Sequence, residues 1–201
     1  PSRQWKKRFK NEPWFPGETI SASIGQGYNL VTPLQSARMI STIANGGILI
    51  RPYLVKKIED SDGKLIQEFF PVVNRNIGID SEVLKHLKEG LRGVVYDSRG
   101  TGRRARLKDI VVSGKTGTAQ VVGMKASNEI DPEEEIPYSF RDHAWFVAFA
   151  PYEKPEVAVS VIIEHGGHGG TTAAPIARKI LETYFAYYPP PGTNRSGLTL
   201  N

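Results

Sequence analysis

Ile110-Val111-Val112-Ser113-Gly114-Lys115-Thr116-Gly117-Thr118-Ala119-Gln120-Val121-Val122 decides how this chain is read. Val, Ile and Thr at this density favour an extended backbone. Gly114 and Gly117 inside such a strand mark places where another backbone or a ligand comes close. Lys115 is then a cation displayed on a strand that a ligand can approach. Gly114-Lys115-Thr116 also invites comparison with a phosphate-binding loop. A Walker A loop needs glycine five positions before Gly114, where Asp109 stands, and a helix beginning at the Lys-Thr pair. Ala119 to Val122 reads as extended, so a phosphate loop is excluded.

Working outward toward the carboxy terminus, residues 123–142 form a polar loop whose Asp131-Pro132-Glu133-Glu134-Glu135 run reads as solvated surface. Ala144 to Ala150 is a strand, Pro151 to Pro155 a turn, and Val157 to Ile163 a strand apolar on both faces. His165-Gly166-Gly167-His168-Gly169-Gly170 reads as a flexible loop, and Thr171 to Tyr188 as a helix. The last two of these three strands are joined by a short turn, which favours antiparallel neighbours. The expected fold class is α/β of the α+β type, an antiparallel sheet packed by helices.

Toward the amino terminus, an Arg/Gly-rich loop at 97–108 precedes the opening strand, and a helix spans Ser81 to Val95 with Leu84, Leu87, Leu91 and Val94 on one face. Ser61-Asp62-Gly63-Lys64 is a hairpin turn between a strand at Ile48–Ile58, interrupted by Pro52, and another at Leu65–Phe70. Thr32-Pro33-Leu34-Gln35 is a capping box that starts a helix, and Asn45-Gly46-Gly47 stops it. Residues 1–18 read as an irregular loop anchored by Trp5, Trp14 and Phe15.

A length of 201 residues, 39% of them hydrophobic, suits one domain or most of a larger one. The net charge is +5, with arginines concentrated between Arg92 and Lys108. One reading is attraction to an anion, whether nucleic acid, phosphate or a carboxylate-bearing substrate; without interleaved aromatics a solvated loop is the favoured reading, and no nucleic-acid partner is expected. The absence of cysteine removes disulfides, thiol nucleophiles and Cys-containing zinc sites. His143, His165 and His168 lack an accompanying set of ligands, so no metal and no cofactor is expected. No apolar run reaches the ~18 residues that span a bilayer. The chain starts at Pro1 rather than Met and is expected to be a piece of something longer.

Lys115-Thr116-Gly117-Thr118-Ala119-Gln120 resembles the K-T-G box of penicillin-recognising serine acyltransferases. Ser23-Ile24-Gly25-Gln26-Gly27-Tyr28, Thr32-Pro33-Leu34-Gln35, Asn45-Gly46-Gly47, Arg51-Pro52, Asp142-His143-Ala144-Trp145-Phe146, Phe149-Ala150-Pro151-Tyr152 and Glu164-His165-Gly166-Gly167 follow the matching order. Together they resemble the carboxy-terminal part of the transpeptidase domain in the penicillin-binding protein 2 family, class B enzymes of cell-wall elongation. The likeness implies the penicillin-binding-protein/β-lactamase-like fold, incomplete here, with residues 1–188 forming part of one domain and 189–201 a tail.

The activity implied is serine acyl transfer. A serine attacks the penultimate D-alanine carbonyl of a peptidoglycan stem peptide, the last D-alanine leaves, and an amine of a neighbouring strand takes the acyl group. β-Lactams mimic the dipeptide. The resemblance assigns Lys115, Thr116 and Gly117 to the catalytic K-T-G box, and Thr116, Thr118, Ser113 and Gly114 to substrate binding. Lys115 would set a positive potential, the Thr116 and Thr118 hydroxyls would bind the substrate carboxylate, and the Thr118 backbone N–H would be one oxyanion-hole donor. Implied partners are stem peptides, β-lactams, a membrane glycan polymerase and rod-shape scaffold proteins. The implied location is the periplasmic side of a bacterial inner membrane.

The family's other two boxes are not met. S-x-x-K occurs only at Ser61-Asp62-Gly63-Lys64, where Asp-Gly makes a turn instead of the helix start that the nucleophile needs, and S-x-N does not occur. These residues are therefore expected to be inactive alone. The alternative is a non-catalytic module of the same fold that binds peptidoglycan or protein.

Overall fold

The computed structural model describes residues 1–121 and 136–191. The amino-terminal residues, expected as an irregular loop, form two short helices, α1 (Arg3–Lys10) and α2 (Pro16–Ser23). Long-range polar chemistry makes the difference. Lys6, 1% exposed, places its ammonium 2.5 Å from Glu18 and 3.2 Å from Glu12. It also lies 4.3 Å from the centroid of the Phe15 ring. Removal from water pulls the Lys6 pKa down, but hydrogen bonds to Glu18 and Glu12 outweigh this and leave it above the ordinary lysine value. The same bond holds the Glu18 carboxyl below its ordinary value.

Helix α3 (Pro33–Ala44) starts on the expected capping box. The Gln35 N–H donates to Thr32 Oγ1 at 3.2 Å, and the Thr32 N–H donates to Gln35 Oε1 at 2.8 Å. The expected strand 48–58 is two strands, β1 (Ile48–Arg51) and β2 (Lys57–Glu59). They take different partners: β2 pairs with β3 (Leu65–Glu68), whereas β1 pairs with β4 (Val72–Asn76). Pro52 lacks the N–H that would continue a ladder, which lets the chain change partner there. Every residue of β4 is exposed, so no apolar alternation announced it. At Ser61–Lys64 the Asp60 carboxylate accepts from the Asp62 and Lys64 N–H groups and Gly63 has φ +79°, a turn that cannot serve as an S-x-x-K helix.

Helix α4 (Ser81–Tyr96) is capped by Asp80, which accepts from the Glu82 and Val83 N–H groups. A short 3-10 turn, Arg103–Ala105, interrupts the loop that follows. Part of that loop's charge is structural rather than solvated. Arg106 donates to the carbonyls of Val95 and Tyr96 at 2.7 and 2.8 Å, closing the carboxy-terminal end of α4.

Strands β5 (Ser113–Ala119), β6 (His143–Ala150) and β7 (Val157–Ile163) form an antiparallel sheet in the order β5-β6-β7, followed by α5 (Ala173–Tyr187). β5 ends at Ala119, short of the expected Val122. Residue 122, the acidic run 131–135 and the tail from 192 onward lie outside the described residues.

Register assigns the faces. Thr116 stands opposite Phe146, Gly114 opposite Ala148 and Thr118 opposite Ala144. Those β6 residues share a core with Ala174, Ala177, Leu181 and Phe185 of α5. Ser113, Lys115 and Gly117 stand opposite Phe149, Val147 and Trp145. Val147 and Phe149 pack on Ile40 and Ala44 of α3. Helices therefore cover both faces, which is why β6 is apolar almost without interruption rather than alternating. The architecture is the expected antiparallel sheet packed by helices.

Candidate functional site

The outer edge of β5 is the centre of the site. The Thr118 carbonyl accepts from Gln26 Nε2 at 2.9 Å, and the Thr116 carbonyl accepts from Lys115 Nζ at 2.6 Å. In an antiparallel ladder the N–H and C=O of one residue point to the same side. Thr116 and Thr118 therefore turn their main chains away from β6, toward the open edge. The Thr118 N–H lies on that edge, away from the β5–β6 ladder.

The side chains of Thr116 and Thr118 point the other way around the strand's alternation, to the α5 face. They line a cavity of about 430 Å³ shared with Thr101, Arg103, Arg104 and His168. Among the described residues its lining contains two guanidinium groups, an imidazole and four threonines, and no carboxylate. Such a lining suits an oxygen-rich anion: cations supply potential and hydroxyls supply donors.

Close backbone contacts build this cavity. Gly169 lies against the sheet so tightly that a β-carbon there would collide with the Trp145 carbonyl and sit 2.5 Å from the Gly117 carbonyl oxygen. A β-carbon at Gly170 would collide with the Thr101 carbonyl. Thr172 Oγ1 donates to the Gly166 carbonyl at 2.8 Å, and Arg104 donates to the Thr171 carbonyl at 3.1 Å. The His165–Gly170 segment, expected as a flexible loop, is thus a fixed wall. Glycine there serves close approach rather than mobility.

Lys115 is exposed, on the α3 side, with its ammonium curled onto the strand's own edge. Gly117 leaves room for its neighbours: a β-carbon would lie 3.0 Å from Trp145 Cβ. Ser113 and Gly114 do not join Thr116 and Thr118. Both are buried, and a β-carbon at Gly114 would lie 2.6 Å from the Val147 carbonyl oxygen. Their position four and five residues up the strand from Thr118 takes them beneath the packed helices, out of the cavity.

The His165 N–H donates to His143 Nδ1 at 2.9 Å, and the Tyr138 and His165 rings lie 4.8 Å apart. Among the described residues no three His, Cys, Asp or Glu side chains converge as metal ligands. His168 alone of the three histidines lines the cavity. Sequence reading missed Gln26, Thr101, Arg103 and Arg104 as site residues. Gln26 and Thr118 are 92 positions apart. The local signals were Gly25 and Gly27 flanking Gln26 and the arginine cluster that contains Arg103 and Arg104.

Comparison with known proteins places the chain in a family. The family described as the penicillin binding protein transpeptidase domain matches residues 5–182. The peptidoglycan D,D-transpeptidase MrdA of Haemophilus influenzae is 39% identical over 187 residues, 92% of this chain and 28% of that protein. Penicillin-binding protein A from M. tuberculosis, solved as a ceftriaxone acyl-enzyme complex, is similar with a TM-score of 0.67 and 34% identity, covering 81% of this chain and 34% of that one. Penicillin-binding protein 2 of Helicobacter pylori, solved in complex with MreC, has a TM-score of 0.68 and 29% identity over 94% of this chain and 31% of that one. The chain thus spans about a third or less of the length of these relatives.

Proposed function

The chain belongs to the penicillin-binding protein transpeptidase family, and on that premise we propose that it is the carboxy-terminal wall of a peptidoglycan D,D-transpeptidase site. The observation that carries this reading is the open edge of β5. Thr116 and Thr118 turn main-chain groups outward there, and their hydroxyls face a cationic cavity without carboxylates. A stem peptide ending in D-Ala-D-Ala pairs along that edge through main-chain hydrogen bonds, and its terminal carboxylate is taken by the Thr116 and Thr118 hydroxyls.

The serine comes from a segment of the polypeptide outside this chain. Its oxygen attacks the penultimate carbonyl. The carbonyl oxygen gains negative charge, and the Thr118 N–H donates to it. The C–N bond to the last D-alanine breaks, and the proton given up by the serine hydroxyl ends on that nitrogen as it leaves. An amine of a second strand then attacks the ester, restores the serine and forms the cross-link. Lys115 lends positive potential to the edge throughout.

A β-lactam follows the first half of this course and stops as the acyl-enzyme. The proposed protein partner is a rod-shape scaffold of the MreC kind, with a membrane glycan polymerase as a further one. The proposed site of action is the periplasmic face of the inner membrane. Among the described residues no helix is long and apolar enough to cross a membrane.

A fluorescent penicillin tests the reading. A longer polypeptide that includes this chain and an S-x-x-K serine should label covalently, and should stop labelling when that serine is changed to alanine. This chain by itself should not label; if it does, the nucleophile is not elsewhere. A longer polypeptide that keeps the fold and does not label makes this a non-catalytic module.

A further inference from the structure

The geometry points to Thr101 as a positioning residue that aims the Thr116 hydroxyl at the ligand carboxylate. This deepens the transpeptidase reading and rests on it. Thr101 Oγ1 lies 2.8 Å from Thr116 Oγ1, a hydrogen bond in which one proton sits between two hydroxyl oxygens. Each hydroxyl has a single proton to give and two lone pairs to receive. Two arrangements are therefore open. If Thr116 donates to Thr101, it has no proton left for a ligand. If Thr101 donates to Thr116, the Thr116 proton is free to point into the cavity.

A carboxylate accepts only, so its arrival selects the second arrangement. The result is a directed chain from the Thr101 O–H through the Thr116 O–H to the ligand oxygen. A hydroxyl that is itself accepting a bond becomes a stronger donor, so the chain tightens the last link as well as aiming it.

The backbone keeps Thr101 in place without help from this hydroxyl. Its two neighbours are glycines pressed onto the end of α4. The Gly100 N–H donates to the Asp97 carbonyl at 3.0 Å, and the Gly102 N–H donates to the Val94 carbonyl at 2.8 Å. A β-carbon at Gly102 would lie 3.0 Å from Phe146 Cε2, and Gly170 closes over the Thr101 carbonyl. Thr101 is thus held by main-chain packing against α4, β6 and the 165–170 wall. Its side-chain hydroxyl is exposed and has Thr116 as its partner. A loop secured this way does not need the hydroxyl pair to hold it to β5, which leaves that pair for orientation.

The experiment compares two probes on the full-length polypeptide: a fluorescent penicillin with its free carboxylate, and the methyl ester of the same penicillin. Acylation rates are measured for the wild type and for Thr101→Val and Thr101→Ser. One hydroxyl bond's net worth sets the scale, so Thr101→Val should acylate roughly fivefold more slowly with the free acid. With the ester it should stay within about twofold of the wild type, because the group being aimed at no longer carries the charge. Thr101→Ser should restore the wild-type rate on the acid.

Equal slowing on both probes would make the pair a structural tie and overturn the assignment. So would an unchanged rate on the acid, or a serine variant as slow as valine. Where the valine variant does not fold, Thr101→Ala carries the same expectation, since none of the loop's glycine contacts involves that side chain. A wild-type polypeptide that no penicillin labels brings down the transpeptidase reading and the role of Thr101 with it. A labelled wild type with indifferent variants removes Thr101 alone.

Discussion

The sheet β5–β7 and the ribbons β1–β4 are both antiparallel, yet they are held by different forces. In the sheet, Phe146, Ala148, Phe149 and Ala150 are fully buried beneath α3 and α5. In the ribbons, every residue of β2, β3 and β4 is exposed, and Ile66 is 64% exposed. Backbone pairing is common to the two; burial belongs to one. Hydrogen bonds exchanged with water contribute little net stability each, whereas apolar burial contributes in proportion to area. The lesson is that this site stands on the buried sheet, and that the exposed β2–β3 hairpin folds along with it without supporting it.

The sharpest way to break the comparison is to truncate one side chain in each region. Phe146→Ala should cost about 3–5 kcal/mol and abolish penicillin labelling of the longer polypeptide. Ile66→Ala should cost under about 0.5 kcal/mol and leave labelling intact. Urea denaturation of both variants decides; similar losses would show that the ribbons carry load.

Glycines give the next contrast. Gly169→Ala forces a β-carbon into the Trp145 carbonyl, so about 1–3 kcal/mol and a weaker site are expected. Gly63→Ala has open space around it, and only its φ of +79° is strained. The expected cost is about 1 kcal/mol, confined to the hairpin and seen as faster amide exchange in β2 and β3 alone. Comparable in size is Thr32→Ala, which removes the cap of α3 on the sheet's other face. About 1 kcal/mol of thermal stability should go, with labelling kept.

The amino-terminal clamp tests whether α1 and α2 behave as part of either region. Glu18 has a lowered pKa, so its contribution is present above the ordinary glutamate value of 4.5 and lost as pH falls through the folded value. Lys6 has a raised pKa, so its contribution is present below 10.5 and lost as pH rises through the folded value. The clamp should hold between these limits and release at both ends, reported by tryptophan emission from Trp5 and Trp14. Glu18→Gln should erase the acid step and weaken the alkaline one, since Glu18 is the largest of the influences that raise Lys6; an acid step that survives it would assign the release to another group.

Much of this was legible one segment at a time. Val157–Ile163 was bounded correctly because an apolar run between turn residues is a local signal, and α3 because Thr32 and Gln35 cap within a single turn. β4 and its pairing with β1 were not legible, since they depend on a change of partner after Pro52 and on exposed residues with no pattern. The arginines of the 97–108 loop looked solvated because nothing near them in sequence predicts that Arg106 closes α4 or that Arg104 reaches Thr171.

By itself the sequence determined the three long strands, the three longer helices and the K-T-G edge, because periodicity, caps and glycine placement act over a few residues. Only the tertiary structure decided which groups meet at that edge. Gln26 reaches the Thr118 carbonyl, Thr101 pairs with Thr116, Arg103 and Arg104 join them, and Ser113 and Gly114 withdraw. Those meetings join segments far apart in the chain. They exist because glycines at 100, 102, 169 and 170 let backbones approach more closely than any side chain would allow, and no spacing within one segment encodes such an approach.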